Sequence, residues 1–309
     1  MPRYILGRVL QAIPVFLGTT FLIYFMVFAM PGDPLLALFG DKTPNPALLA
    51  QLRAQYHLDQ PFIVQYFYYM TGIFQGNLGV SFSGEPVTAI LSRTFPVTAR
   101  LAVMALLVQS IAGIGVGLVS GLRKGKLFDA SALVVSLILI SLPVFVIAFV
   151  GQFVFGIQLG WARTTVGAGA PTVDLILPAF VLASISFAVI VRLTRSSVIE
   201  TQGMDFVRTA YSKGLGRNRV VPVHILRNSL IPVVTYLGTD FGVLLVGATV
   251  TEGIFNIPGV GNTLYQAIIR GQGPTVVSFV TVMVLLYLVV NLIVDLLYGL
   301  LDPRIRYVK

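Results

Sequence analysis

Six stretches of mostly apolar residues, parted by charged segments, run through this chain of 309 residues. A helix needs about 20 such residues to cross the hydrocarbon layer of a bilayer. The first stretch lies between Arg8 and Asp33, with 24 uncharged residues, and the second between Arg100 and Arg123, with 22. The third starts after Asp129 and meets no charge until Arg163, and the fourth runs from Pro171 to Val191 with only Asp174 inside it. The fifth covers Ser229 to Thr251 and the sixth Thr275 to Leu300, each holding one aspartate. The first could pass for a secretory leader, but its run exceeds the usual core of about 7 to 15 residues and it lacks an A-x-A-like site.

Charged residues make up 11% of the chain, against about a quarter in an ordinary soluble domain. The charge excess of +9 therefore reads as an orientation signal rather than a nucleic-acid footprint. When alternate loops are summed, 15 of the 21 cations fall on one side, in the segments around Arg123, Arg195, Arg217 and Arg304 and at the N-terminus. The other side holds only Lys42, Arg53, Arg93, Arg100, Arg163 and Arg270. The expected architecture is an all-α integral membrane protein with six transmembrane helices and both termini in the cytoplasm.

Between the first two spans, about 60 extracytoplasmic residues carry two helix signals. Asn45 followed by Pro46 is a cap and first position, and Asp59 with Pro61 marks a second start before Phe62, Tyr66, Tyr69 and Phe74. The aromatics fit either a docking surface for an external partner or a belt at the lipid headgroups. In the second span Gly113, Gly117 and Gly121 recur every four residues, a strip that favours close helix packing. Pro143 and Pro178 fall inside the third and fourth spans, where kinks are expected.

The segment from Thr194 to Asn228 predicts a short amphipathic helix on the cation-rich side. Asp205 caps it, Phe206, Val207, Ala210 and Tyr211 form its apolar stripe, Arg208 and Lys213 stay wet, and Gly214 supplies the left-handed stop. Such a helix either lies on the membrane surface or inserts into a groove on a cytoplasmic partner.

The sequence lacks the usual signatures of catalysis. There is no cysteine, no Walker loop, no H-E-x-x-H and no G-x-S-x-G, and the only histidines, His57 and His224, fit no metal-ligand spacing. The chain is expected to be no enzyme, with no catalytic residue, metal ligand or cofactor of its own. Two acids lie at membrane depth, where a charge costs at least about 2.5 kcal/mol. Asp240, with Tyr236 one turn before it, is a candidate for the translocation pathway or for a buried helix-to-helix bond. Asp295, with Asn291 one turn before it, is expected in a structural network.

Several strings resemble the permease subunits of bacterial ABC importers for dipeptides, oligopeptides and nickel. These are Met30-Pro-Gly-Asp-Pro34, Tyr56-His-Leu-Asp-Gln-Pro61, Gly76-Asn-Leu-Gly79, Asp205-Phe-Val-Arg-Thr-Ala210 with Lys213-Gly214-Leu215, His224 to Pro232, Glu252 to Gly261, and Asp302-Pro-Arg304. The resemblance implies the type I importer permease fold and a multi-pass protein of the inner membrane. It divides the chain into 1–95, the first span with the extracytoplasmic segment; 96–302, the transmembrane domain; and 303–309, a short basic tail. Asp205 to Gly214 would be the coupling helix, with Arg208 standing where the general motif has glutamate. The implied partners are a second, homologous permease, two ATPase subunits or a fused one that use ATP and Mg, an extracytoplasmic substrate-binding lipoprotein, and membrane lipid. Alternating access for di- or oligopeptides is the implied activity, with haem, nickel, glutathione or a sugar as alternative cargo. An ion-coupled secondary transporter using Asp240 and Asp295 as a relay is the competing class.

Overall fold

A computed structural model describes residues 2–28, 45–55, 57–81 and 84–301. The strings around Met30 to Pro34 and Asp302 to Arg304, the tail 303–309 and Tyr56 lie outside the described residues. The described residues are helical apart from turns and one isolated bridge between Val80 and Pro86. Five helices are long and apolar enough to cross a membrane, and a bent pair has the length and composition of a sixth crossing when taken as one span.

The chain forms two compact units: residues 1–98 with 256–309, and residues 99–255. The block 96–302 is thus shared between them.

In the first unit, α1 (Pro2–Phe28) packs along α12 (Gly273–Leu301) and against α3 (Phe62–Phe74). Asn45 accepts the N–H of Ala47 at 3.0 Å and so caps α2 (Pro46–Gln55), as its sequence position suggests. Pro61, not Asp59, holds the cap position of α3, and no side chain caps that helix. The aromatics of α3 turn onto the first span: Tyr66 meets Thr20 at 2.9 Å and Tyr24 edge-on, and Tyr69 donates to Thr281 of α12 at 2.7 Å. Burial pushes the Tyr69 phenol well above its ordinary range, so it acts as a donor at any physiological pH. Ile63, Phe67 and Phe74 remain exposed on the opposite face. Val87, Ile90 and Leu91 at the start of α4 (Val87–Leu122) close a core with Val260 and Leu264 of α11 (Val260–Ile269) and with Phe279 and Met283 of α12.

The second unit is built on α7 (Ile176–Gln202), against which the glycine strip of α4 lies. A Cβ at Gly113 would come within 2.7 Å of Ile190, one at Gly117 within 2.6 Å of Thr194, and one at Gly121 within 2.7 Å of Val198. The strip is therefore consumed inside the chain, letting the two backbones approach. Pro178 sits in the first turn of α7, where its missing N–H removes no helical bond, so it makes no kink. Pro143 acts differently. Leu142 before it is extended, as residues before proline are driven to be, and the third span breaks there into α5 (Leu127–Ser141) and α6 (Val144–Gly151), which continues as a π-helical turn through Gln158. The two arms bend by 105°, far more than the kink expected of a single crossing. The short helices α8 (Asp205–Ser212) and α9 (Arg217–Val220) follow, then a π-helical turn and the long α10 (Arg227–Phe255), which packs on α7.

Candidate functional site

The short helix α8 has the length its sequence implies, but its ends are built differently. Met204, extended at φ −74° and ψ 146°, holds the cap position and no side chain caps the helix. Asp205 is instead the first helical residue, exposed, where its charge complements the helix N-terminus. Its carboxylate lies 3.7 Å from Arg208 on a wet surface, a pair of little energetic weight. At the other end Gly214 adopts φ +78°. Its N–H bonds to Tyr211 and that of Leu215 to Ala210, the Schellman arrangement that only a residue tolerant of positive φ allows without strain.

The apolar stripe divides in two. Val207, 2% exposed, and Ala210 face into the unit, in a cluster with Val198 of α7, Val220 and Ile225, flanked by Leu118 and Leu122 at the end of α4. Phe206 and Tyr211 are 41% and 46% exposed, and Met204 stands beside them. Lys213, Arg217 and Arg219, close behind in sequence, are exposed as well. Val207 and Ala210 thus anchor the rod in its own unit, and Phe206 and Tyr211 are the positions free to meet something else.

Polar contacts fix the helix ends around the rod. Gln202 of α7 donates to the Gly121 carbonyl at 3.2 Å, and Ser229 of α10 donates to Thr201 at 3.1 Å. Asp129 is buried and accepts from Arg195, Ser120 and the backbone N–H of Gly125. One carboxylate therefore holds the end of α4, the turn after it, the start of α5 and the middle of α7. In the sequence Asp129 is only the border of an apolar run; its partners follow no local spacing, and nothing in the string marks them.

At membrane depth Asp240 of α10 is 4% exposed. Ser186 of α7 donates to its Oδ1 at 2.7 Å and Gln109 of α4 to its Oδ2 at 2.5 Å, with the hydroxyl of half-buried Tyr236 also against it. The structure thus gathers Asp240 and Tyr236 into a node across three helices. Gln109 and Ser186 escaped sequence reading because a neutral polar residue inside an apolar stretch carries no signal on its own. Asn291 is half-buried on α12, and the side chain of Asp295 lies outside the described residues, so the expected pair is not placed. Among the described residues no group of three or more acids and histidines could hold a metal ion.

Known proteins resemble this chain in sequence along its whole length. Residues 113–307 match the family of binding-protein-dependent transport system inner membrane components, and residues 1–102 match the N-terminal model of the same membrane components. The dipeptide transport system permease protein DppB of Escherichia coli (strain K12) is 37% identical over the full length of both chains. The di/tripeptide transport system permease protein DppB of Pseudomonas aeruginosa (strain UCBPP-PA14) is 37% identical over 99% of each. A putative peptide transport system permease protein of Brucella abortus (strain 2308) is 35% identical over 99% of this chain and all of its own. With its apolar helices and these full-length matches, the chain belongs to the binding-protein-dependent transport system inner membrane components, the multi-pass permease subunits of ABC transporters.

Proposed function

We propose that this chain forms half of the translocation pathway of an importer for di- or oligopeptides and works by alternating access. Separate ATPase subunits drive it, using ATP and Mg, and α8 is the element through which they do so. The observation that carries this reading is the division of the α8 stripe. One face is sealed into the ends of α4, α7 and the turn before α10, so a push on α8 moves those helices as a body. The other face leaves Phe206 and Tyr211 exposed on a short helix, the form in which an amphipathic helix fits a groove. The cation asymmetry of the loops supports a cytoplasmic position for α8 and both termini, the side where ATPases reside. The names of the relatives supply the cargo class, and a second permease and an external binding lipoprotein complete the assembly. Under this reading Asp240 and Tyr236 lie in the wall of the half-pathway, and Asp240 keeps that wall together through Gln109 and Ser186.

The chain has no cysteine, so a Tyr211→Cys variant carries a single thiol. A bifunctional thiol reagent is expected to join it to an ATPase subunit in membranes, with a yield that changes when ATP is added. A thiol that reacts freely but joins no ATPase subunit in any nucleotide state contradicts the reading.

A further inference from the structure

A polar pocket of about 370 Å³ lies wholly within the first unit, on the side that the cation count assigns to the exterior. Its walls come from the segment before the second span and from α11 with the turn after it. Arg93 closes one wall, with its two terminal nitrogens on the two oxygens of Glu85 at 2.6 and 2.8 Å. Glu85 is thereby used up: among the described residues it is the only acid lining the pocket, and it already holds a cation.

The opposite wall is unspent. Arg270 ends α11, where Gly271 at φ +64° turns the chain away, and the residue is exposed, with no hydrogen bond or ion pair from its guanidinium among the described residues. The side-chain amides of Gln266 and Gln272, which line the same pocket, likewise make no hydrogen bond among the described residues. Thr275, 3% exposed, lines the pocket with a hydroxyl that meets no partner among the described residues. A buried polar group without a partner carries a desolvation cost, and here it borders a cavity whose free cation carries the net charge.

We infer that this pocket is a subsite for the free carboxylate of a short peptide, with Arg270 as the residue that binds it. A planar guanidinium matches a carboxylate in two parallel hydrogen bonds, and the neighbouring amides donate further. The pocket offers no spare acid for an ammonium group or a metal ion. Its concavity suits the end of a small ligand rather than a flat protein surface. The inference rests on the peptide reading above and narrows it: the end of the cargo carrying the carboxylate is held at the outer mouth.

The test uses the assembled importer in nanodiscs without its binding protein, with dialanine and dialanine amide as probes followed by saturation-transfer NMR. Dialanine is expected to bind saturably and the amide about tenfold more weakly, the worth of a charge-assisted hydrogen bond. Arg270→Gln is expected to weaken dialanine to the level of the amide and leave the amide unchanged. Equal affinity for the two probes, equal dialanine affinity in Arg270→Gln, or displacement of dialanine by an equal concentration of inorganic phosphate would overturn the inference. Uptake by whole cells separates this from the cargo reading. Binding that depends on Arg270 without dialanine uptake sinks the cargo class and leaves the subsite; uptake with binding indifferent to Arg270 does the reverse.

Discussion

Arg195 reaches Asp129, 66 positions earlier, with its Nε and one terminal nitrogen on the two carboxylate oxygens at 2.5 and 2.8 Å. Asp129 is nearly inaccessible and Arg195 largely so. Ser120 and the N–H of Gly125 fill the remaining acceptor positions, so the buried charge is both paired and hydrogen-bonded. The pair ties the start of α5 and the end of α4 to α7, one turn before Val198, which packs on α8.

Removing one partner leaves the other charge buried and uncompensated. Asp129→Ala is expected to cost about 3 kcal/mol or more. The measurement is thermal unfolding of the purified complex in detergent, with a lowered midpoint for Asp129→Ala and for Arg195→Ala. The double variant Asp129→Leu with Arg195→Leu should recover much of the loss, because no orphan charge remains. A double variant as unstable as the sum of the singles would contradict this account of the pair.

The glycine strip makes a sharper steric prediction. A Cβ at Gly117 would lie 2.7 Å from the Val191 carbonyl oxygen, which belongs to the backbone and cannot rotate away, whereas one at Gly115 meets nothing within 4 Å. Gly117→Ala is expected to destabilise by about 1 to 3 kcal/mol through overpacking, and Gly115→Ala to be silent. Yield of folded protein on size-exclusion chromatography reads the difference. Equal yields would mean that α4 and α7 do not approach as closely as described.

Asp240 tests whether the node at membrane depth needs charge or only hydrogen bonds. In Asp240→Asn the amide oxygen can still accept from Gln109, and the new NH2 takes the place of the oxygen that now accepts from Ser186, whose hydroxyl can accept in turn. Folding and uptake are therefore expected to survive Asp240→Asn. Asp240→Leu leaves Gln109 buried without any partner and should cost about 1 to 3 kcal/mol. Expression and uptake of the two variants, measured side by side, check this. Loss of uptake in a well-folded Asp240→Asn protein would show that the negative charge itself is required.

Much of this fold was legible because lipid leaves few choices. Charge-free stretches of the right length gave the crossings, and the four-residue spacing of Gly113, Gly117 and Gly121 identified a packing face. Gly214 ended α8 where expected. The break at Pro143 was marked by the proline, but its 105° angle depends on how α6 packs against α7 and α10, which no local string encodes. The division of the α8 stripe was equally hidden. In a helix of eight residues, Phe206, Val207, Ala210 and Tyr211 all fit one broad apolar face, and only the position of Val198, Val220 and Ile225 decides which of them is covered. The partners of Asp129 and Asp240 lie 66 and 131 positions away at their farthest, beyond any helical spacing.

In the proposed function α8 transmits the work of the ATPases through its exposed face. The direct measurement is made on the full importer in proteoliposomes, comparing ATP hydrolysis with peptide uptake for Phe206→Asp. Phe206 is exposed, so the protein should insert and assemble, while the charged side chain spoils an apolar contact with the partner. Uptake per ATP hydrolysed is expected to fall by about tenfold or more, the effect of losing roughly 1.4 kcal/mol of contact. Uptake per ATP equal to that of the unaltered protein would contradict it.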